Sequence, residues 1–318
     1  MRSRTRREGA GADRLDTVRI DLHAHTTASD GTTAPRALVD EAVAAGLDVV
    51  AITDHDTTAG WADATEAALS APRPLSLVRG MEWSCEARAE PARTEKDGRV
   101  SVHLLCYLFD PEDPAIVAET ERLRGERARR LRVMAERMAA DGLPVDVDAL
   151  FADPGRVPGR PHLARVLVDH GAAESMQAAF AGPLSKDSPY YERKRDTPVE
   201  DAVRAVTAAG GVTVIAHPRA RSRGALMDMA QIVELAESGL AGVEADHLDH
   251  DADDRACLRD LATRAGLVVT GSSDFHGANK TVRLGAELTA PDQYAALVQR
   301  ANGIDVVGTR RASADEGA

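Results

Sequence analysis

Asp21-Leu22-His23-Ala24-His25-Thr26-Thr27-Ala28-Ser29-Asp30-Gly31 follows a short apolar lead, Val18-Arg19-Ile20. The lead reads as a strand, and alternate residues of a strand share a face. His23 and His25 therefore point the same way, and both imidazoles can reach one cation. Asp30 sits in a Ser-Asp-Gly turn that can fold its carboxylate back towards them. A His-x-His pair alone is a weak signal, so its meaning depends on what the rest of the chain brings to it.

Outward from this stretch, apolar runs alternate with helical segments. Thr33-Ala34-Pro35 opens a helix that carries Leu38, Val39, Ala42 and Val43 and ends at Gly46. Residues 49–53 form an apolar run of the kind found in buried parallel strands, and it leads into Asp54-His55-Asp56-Thr57. A helix is predicted over about 60–69, then a short strand over 75–78 before Gly80-Met81-Glu82. Residues 87–98 read as a polar loop or hairpin, and 100–107 as a strand that contains His103. The alternation returns after residue 211. Strands over 212–216 and 267–271 run into His217-Pro218 and Ser272-Ser273-Asp274-Phe275-His276-Gly277, with another strand over 242–245.

This order predicts an α/β fold with a mostly parallel sheet. The number of units favours a barrel of about seven strands by analogy with (β/α) barrels. Residues 111–196 break the alternation. A long helical pattern rich in Arg, Glu, Leu and Met runs from Pro114 to Asp141, and shorter helical pieces follow. The expected organisation is a disordered tail over 1–16, a barrel built from 17–110 and 197–300, a helical insertion over 111–196 and a C-terminal tail over 301–318.

The bulk composition excludes several classes. Among 318 residues, 39 Lys+Arg against 51 Asp+Glu give a formal charge of −12, so nothing pulls the whole chain towards nucleic acid or anionic membrane. A small phosphorylated substrate remains compatible, because bound metal ions make a pocket locally positive. Aromatics are 3%, too few for an extended base-stacking platform. Cys85, Cys106 and Cys257 form no Cys-x-x-Cys and read as buried thiols in a reducing compartment. No run approaches the roughly 18 apolar residues of a spanning helix. The basic start lacks the apolar stretch of a signal peptide, so a cytoplasmic protein is expected.

The decisive pattern is where polar residues fall. His23 and His25 lie on or just after the first strand, His55 after the second, Glu82 after the third and His103 in the fourth. His217 ends the strand after the insertion, and Asp274 and His276 follow the last clear strand. C-terminal strand ends of parallel α/β proteins share one face. With Asp30, nine mixed nitrogen and oxygen ligands would converge there. That exceeds one ion's shell, so two or three divalent ions are expected. Manganese is the first expectation, with zinc, iron(II) or magnesium as alternatives. Glu82 is the natural bridging carboxylate. Asp54 and Asp56 are candidates for orienting the histidines. The pattern leaves the role of His247 and His250 open.

Asp-x-His-x-His-(x)4-Asp-Gly, Thr-Asp-His-Asp, Gly-x-Glu, the strand His103, Ala-His-Pro and Gly-Ser-Ser-Asp-Phe-His-Gly, in this order, resemble the PHP (polymerase and histidinol phosphatase) superfamily of metal-dependent phosphoesterases, over about residues 18–290. The resemblance implies a distorted (β/α)7 barrel with a trinuclear site. One metal takes His23, His25, Glu82 and Asp274; a second shares Glu82 with His103 and His217; the third takes Asp30, His55 and His276. Gly159-Arg160-Pro161-His162-Leu163-Ala164-Arg165 and Ser185-Lys186-Asp187-Ser188-Pro189-Tyr190-Tyr191 resemble the bacterial group that dephosphorylates 3',5'-nucleoside bisphosphates, some members of which degrade short RNA from the 5' end. Arg160, His162, Lys186, Arg219 and Arg221 are the candidate contacts to a small nucleotide or short RNA. Water activated by the ions is the expected nucleophile, so no catalytic side chain is assigned. Histidinol-phosphate phosphatase, a non-catalytic metal-binding module and an amide hydrolase stand as alternatives. No obligate protein partner is evident.

Overall fold

The computed structural model describes residues 18–91, 98–152, 159–221 and 224–308. The expected tail over 1–16, and residues beyond 308, lie outside that set. Strands β1 (Ile20–Asp21), β2 (Val49–Ile52), β3 (Ser76–Arg88), β4 (Arg99–Tyr107), β6 (Val212–Ala216), β7 (Gly242–Asp246) and β8 (Val268–Gly271) follow one another round a single sheet, and β5 (Thr197–Pro198) pairs beside β3. The sheet is a nearly closed seven-strand barrel. Its two ends meet where Ala24 bridges Phe275 and the His25 N–H donates to the Phe275 carbonyl at 2.8 Å.

Alternate strand residues build two cores, as the two-residue period requires. One face carries Val50, Ile52, Leu77, Met81, Trp83 and Ile215. It lies under α1 (Pro35–Ala44), α2 (Trp61–Leu69), α7 (Val199–Ala208), α8 (Met229–Glu237) and α9 (Ala252–Ala265). The other face carries Ile20, Leu22, Val49, Ala51, Leu105, Tyr107, Val212 and Val214, and α10 (Pro291–Gln299) packs Leu297 against it. The insertion holds α3 (Pro114–Ala140), α4 (Val147–Leu150), α5 (Arg160–Asp169) and α6 (Met176–Ala181). It has its own small core of Leu131, Met134, Met138, Leu163, Leu167 and Leu184.

The structure sharpens three expectations. The sheet is mostly parallel, as expected, and β4 alone among the described strands runs antiparallel, to both β3 and β6. The third strand does not stop near Val78. It continues to Arg88 because β4 pairs with it residue by residue, from Gly80 with Tyr107 to Arg88 with Arg99, so Glu82 lies within the strand. Residues 301–308, at the start of the expected C-terminal tail, pack on the barrel. Leu77 and Val307 exchange two backbone hydrogen bonds at 3.0 Å, and Ile304 donates to the Leu108 carbonyl at 2.9 Å. Ile304, Val306 and Val307 give this segment apolar surface to bury against the barrel.

The Tyr107 hydroxyl, inside the barrel, donates to the Leu22 carbonyl at 2.7 Å, one residue before His23. Tyr107→Phe leaves that buried carbonyl unpaired and should lower the unfolding free energy by about 1–2 kcal/mol. A denaturant titration against the unchanged protein checks this; an unaltered midpoint would show the bond to be inconsequential.

Candidate metal centre

The candidate ligands reach one end of the barrel by different routes. His23 and His25 leave β1, and the chain then turns tightly, with the Ser29 and Gly31 amides donating to the Thr26 carbonyl at 3.1 and 3.0 Å. A Cβ on Gly31 would lie 2.6 Å from the His25 carbonyl oxygen, so only glycine fits there. His55 follows β2 and bridges Glu82, while His217 follows β6 and Asp274 and His276 follow β8. His103 reaches the same end because β4 is reversed, which brings its N-terminal half alongside Ser84 and Ala216. Asp56, His217 and Asp274 hold positive φ angles of 50°, 30° and 50°. Such backbone is uncommon outside glycine and persists where neighbours enforce it.

Three overlapping groups of side chains are close enough to hold metal ions: His25, Asp30, His55 and His276; His23, His25, Glu82 and Asp274; and His55, Glu82 and His103. In each, one ligand atom per residue lies within 4.8 Å of the others. Glu82 is the hub. Its Oε2 lies 3.3, 3.0 and 3.1 Å from ring nitrogens of His23, His25 and His55, and its Oε1 lies 2.7 and 3.1 Å from those of His103 and His217. The nine expected residues therefore converge. Their grouping differs from expectation in that His25 and His55 each belong to two groups, and His217 joins none of the three, meeting the cluster through Glu82 Oε1. His25 Nδ1 is 3.6 Å from Asp30 Oδ1.

The donor chemistry fits divalent cations. His55 Nδ1 and His103 Nδ1 are buried with no hydrogen-bond partner among the described residues, although a Glu82 oxygen is near each. His23 Nε2 and His25 Nε2 face each other at 3.1 Å. Such arrangements are poor as hydrogen bonds and suit lone pairs aimed at a shared ion. Burial alone would raise the Asp30, Glu82 and Asp274 carboxyls. Asp30 is nevertheless held well below its usual range by His55, His276 and His25, Glu82 by His103, His55 and His23, and Asp274 by Lys280, His23 and His276. Burial lowers His55 and His276. Burial also opposes protonation of His23 and His25, but Asp274 and Glu82 push both up, His25 to about 9. Buried carboxylates thus draw in positive charge.

Asp54 and Asp56 brace backbone rather than orient rings. Asp54 accepts from the Thr26 amide, the Thr26 hydroxyl and the Ser29 hydroxyl at 2.8, 2.7 and 2.6 Å, fixing the turn that carries Asp30. Asp56 accepts from the Ser84 amide at 2.7 Å and from Arg127 of α3 at 2.6 Å, which docks the insertion beside His55. Burial would raise its carboxyl, but Arg127 and Lys194 hold it down.

The five expected substrate contacts separate. Arg160 starts α5 with its guanidinium 5.4 Å from the Phe180 ring centroid, in the field of Arg130 and Arg127. His162 Nδ1 accepts from the Gly159 amide at 3.2 Å, capping α5. Lys186 is exposed in a turn after α6. Arg219 pairs with Glu90 and Asp254, and Arg221 pairs with Asp254. The charges of Arg219 and Arg221 are thus already offset. Arg127, Arg130 and Lys194 escaped the sequence reading. Arg127 and Arg130 lie in a helix with many arginines, where spacing selects none.

This fold and this cluster define a metal-dependent phosphoesterase, a hydrolase. The PHP domain model matches residues 21–138. A 3',5'-nucleoside bisphosphate phosphatase from Chromobacterium violaceum is 34% identical over 259 residues, 81% of this chain and 87% of that protein. A 5'-3' exoribonuclease from Haemophilus influenzae is 30% identical over 276 residues, 87% of this chain and 96% of its own length. A solved structure from Bifidobacterium adolescentis, described as a metal-dependent phosphoesterase, superposes with a TM-score of 0.79 at 36% identity, covering 91% of this chain and 98% of that one. The chain belongs to the PHP family. No helix among the described residues is long and apolar enough to cross a membrane.

The ring environments set a pH dependence for the metal-free protein. A raised histidine stabilises the fold fully below its unfolded value of about 6.5, and that contribution disappears as pH rises through about 9. The lowered His55 and His276 act oppositely, costing stability only below about 6.5. Metal-free protein should therefore lose stability between about pH 6.5 and 9. Denaturant titrations across that window test it, and a flat or rising profile contradicts the ring assignments.

Proposed function

We propose that the chain hydrolyses phosphate monoesters of small nucleotides, foremost the 3'-phosphate of 3',5'-nucleoside bisphosphates, with 5' ends of short RNA as a second class. In this reading one divalent ion draws on His23, His25, Glu82 and Asp274, a second on Glu82, His103 and His217, and a third on Asp30, His55 and His276. Such ions, manganese foremost, would supply Lewis acidity and acidify water at the phosphorus.

The observation that carries the substrate class is a partly buried cluster of arginines in the insertion. Arg127 is anchored on Asp56 beside His55. A Cβ at Gly159 would come 3.4 Å from Arg127 Nη1, so α5 begins against this side chain. Arg130 lies over the Tyr191 ring at 5.1 Å and donates to the Glu192 carbonyl at 2.8 Å. Burial, Arg130 and Arg127 hold Arg160 down to about 10. Among the described residues, no carboxylate lies within ion-pair distance of Arg130 or Arg160. Buried like charges repel unless an anion joins them, and guanidinium forks match phosphate oxygens. A substrate with a second phosphate provides that anion, while the metal end holds the first. A monophosphate such as histidinol phosphate leaves the arginines unserved. The overall charge of −12 is consistent with short substrates, since a long strand needs a basic track.

The Chromobacterium violaceum and Haemophilus influenzae relatives support the same two substrate classes. Phosphate release from adenosine 3',5'-bisphosphate, histidinol phosphate, an aryl phosphate and a 5'-phosphorylated RNA trimer, each with Mn2+, tests the reading. The bisphosphate should give the highest kcat/KM. Arg160→Met should cost it about 1.5–3 kcal/mol, roughly 10- to 150-fold, and leave the aryl phosphate almost unaffected. Equal loss on both substrates, or a preference for histidinol phosphate, would reject this assignment.

A further inference from the structure

The nine candidate ligands come from the ends of β1, β2, β6 and β8 and from within β3 and β4; β7 supplies none of them. It supplies Glu244 instead, a fully buried carboxylate in the apolar run Gly242-Val243-Glu244-Ala245. Glu244 Oε1 lies 3.2 Å from His23 Nδ1 and accepts from the Ser272 hydroxyl. Its Oε2 accepts from the His217 amide at 2.8 Å. Its two oxygens face a serine hydroxyl and a backbone amide, so Glu244 acts here as an acceptor and the hydrogen between it and His23 is placed on Nδ1. That leaves His23 Nε2 directed at His25, Glu82 and Asp274. The second contact fixes the amide of His217, whose φ of 30° is otherwise unfavourable.

We propose that Glu244 is the positioning residue of this centre. One carboxylate sets the tautomer of His23 and holds the strained backbone that aims His217, so it orders ligands belonging to two different ions. This rests on the reading that His23 and His217 bind metal. A carboxylate behind a metal-bound histidine raises the basicity of the ring and fixes its plane. Here the same group also reaches backbone on a neighbouring strand, so losing it should weaken both ions. His247 does a smaller job of the same kind. Its Nδ1 accepts from the Asp249 amide at 3.1 Å, so its Nε2 carries hydrogen towards Asp274 Oδ2, 3.4 Å away.

The near-isosteric Glu244→Gln keeps the shape and removes the charge. Titration of metal-free protein with Mn2+, followed by calorimetry and by metal content after gel filtration, should show affinity lower by about 10- to 100-fold for more than one ion. Ser272→Ala, which removes only a donor to Glu244, should weaken binding less. In zinc-loaded protein with labelled histidine, the ring-nitrogen shifts should report His23 protonated at Nδ1 and metal-bound at Nε2. In folded Glu244→Gln that signature should change or split, which a purely structural residue would not cause. Wild-type affinity and stoichiometry in folded Glu244→Gln overturn the proposal. So does a His23 bound through Nδ1 in the unchanged protein, a result that decides the matter even if the variant fails to fold. If the unchanged protein takes up no metal, the reading of the centre itself fails, and that outcome is distinct from either of these.

Discussion

Everything at the open end of this barrel depends on one buried carboxylate. Glu82 has five ring nitrogens within 3.3 Å of its two oxygens, contributed by His23, His25, His55, His103 and His217. A charge taken out of water is costly unless it is matched at close range. Among these rings His23 and His25 are pushed towards the charged form, and the lone pairs of neutral rings such as His55 compete with those of the carboxylate. The arrangement is satisfied when cations stand between the oxygens and the rings. Asp30 and Asp274 repeat the same situation on a smaller scale. The family's metal dependence thus follows from what this cluster costs when its charges are unmatched.

That cluster also explains the reversal of β4. Parallel strands deliver only their C-terminal ends to a common face. A strand running the other way delivers its N-terminal half, and pairing with both β3 and β6 places His103 between Glu82 and His217. The reversal in turn lets β3 continue to Arg88, because a hairpin partner extends the ladder past the point where parallel neighbours stop. The site and this departure from simple α/β alternation are one feature.

The sequence made the site more legible than its supports. The nine candidate ligands were readable because histidines and acids at the ends of apolar runs are individually ordinary and jointly rare. The helical insertion was readable from the loss of apolar runs between residues 111 and 196. The direction of β4 was not, since periodicity carries no sign, and the polar segment at 87–98 fitted a loop as well as a hairpin. Glu244 left a trace, an acid inside an apolar strand, but its partners lie 221 and 27 residues away in the chain. Arg127 left none, because one arginine among many on a helix is marked only by the Asp56 it meets. Arg219 sits two residues after His217, and its pairing with Glu90 and Asp254 is likewise invisible in the sequence.

The insertion is tied to the barrel at both sides of the cluster. On one side Arg127 of α3 pairs with Asp56, the residue after His55. On the other, Arg165 of α5 donates to the Asn279 side chain at 2.7 Å, and Asn279 donates to the Asp30 carbonyl at 2.8 Å. Both ties end next to candidate ligands. A shift of the insertion therefore cannot leave His55 and Asp30 undisturbed, and a rearrangement of those ligands is felt in the insertion. The buried Arg127–Asp56 pair adds little net stability, because desolvation offsets most of its attraction. Its value lies in register. It places the arginine cluster at a fixed distance from the metal end, as the proposed bisphosphate reading requires.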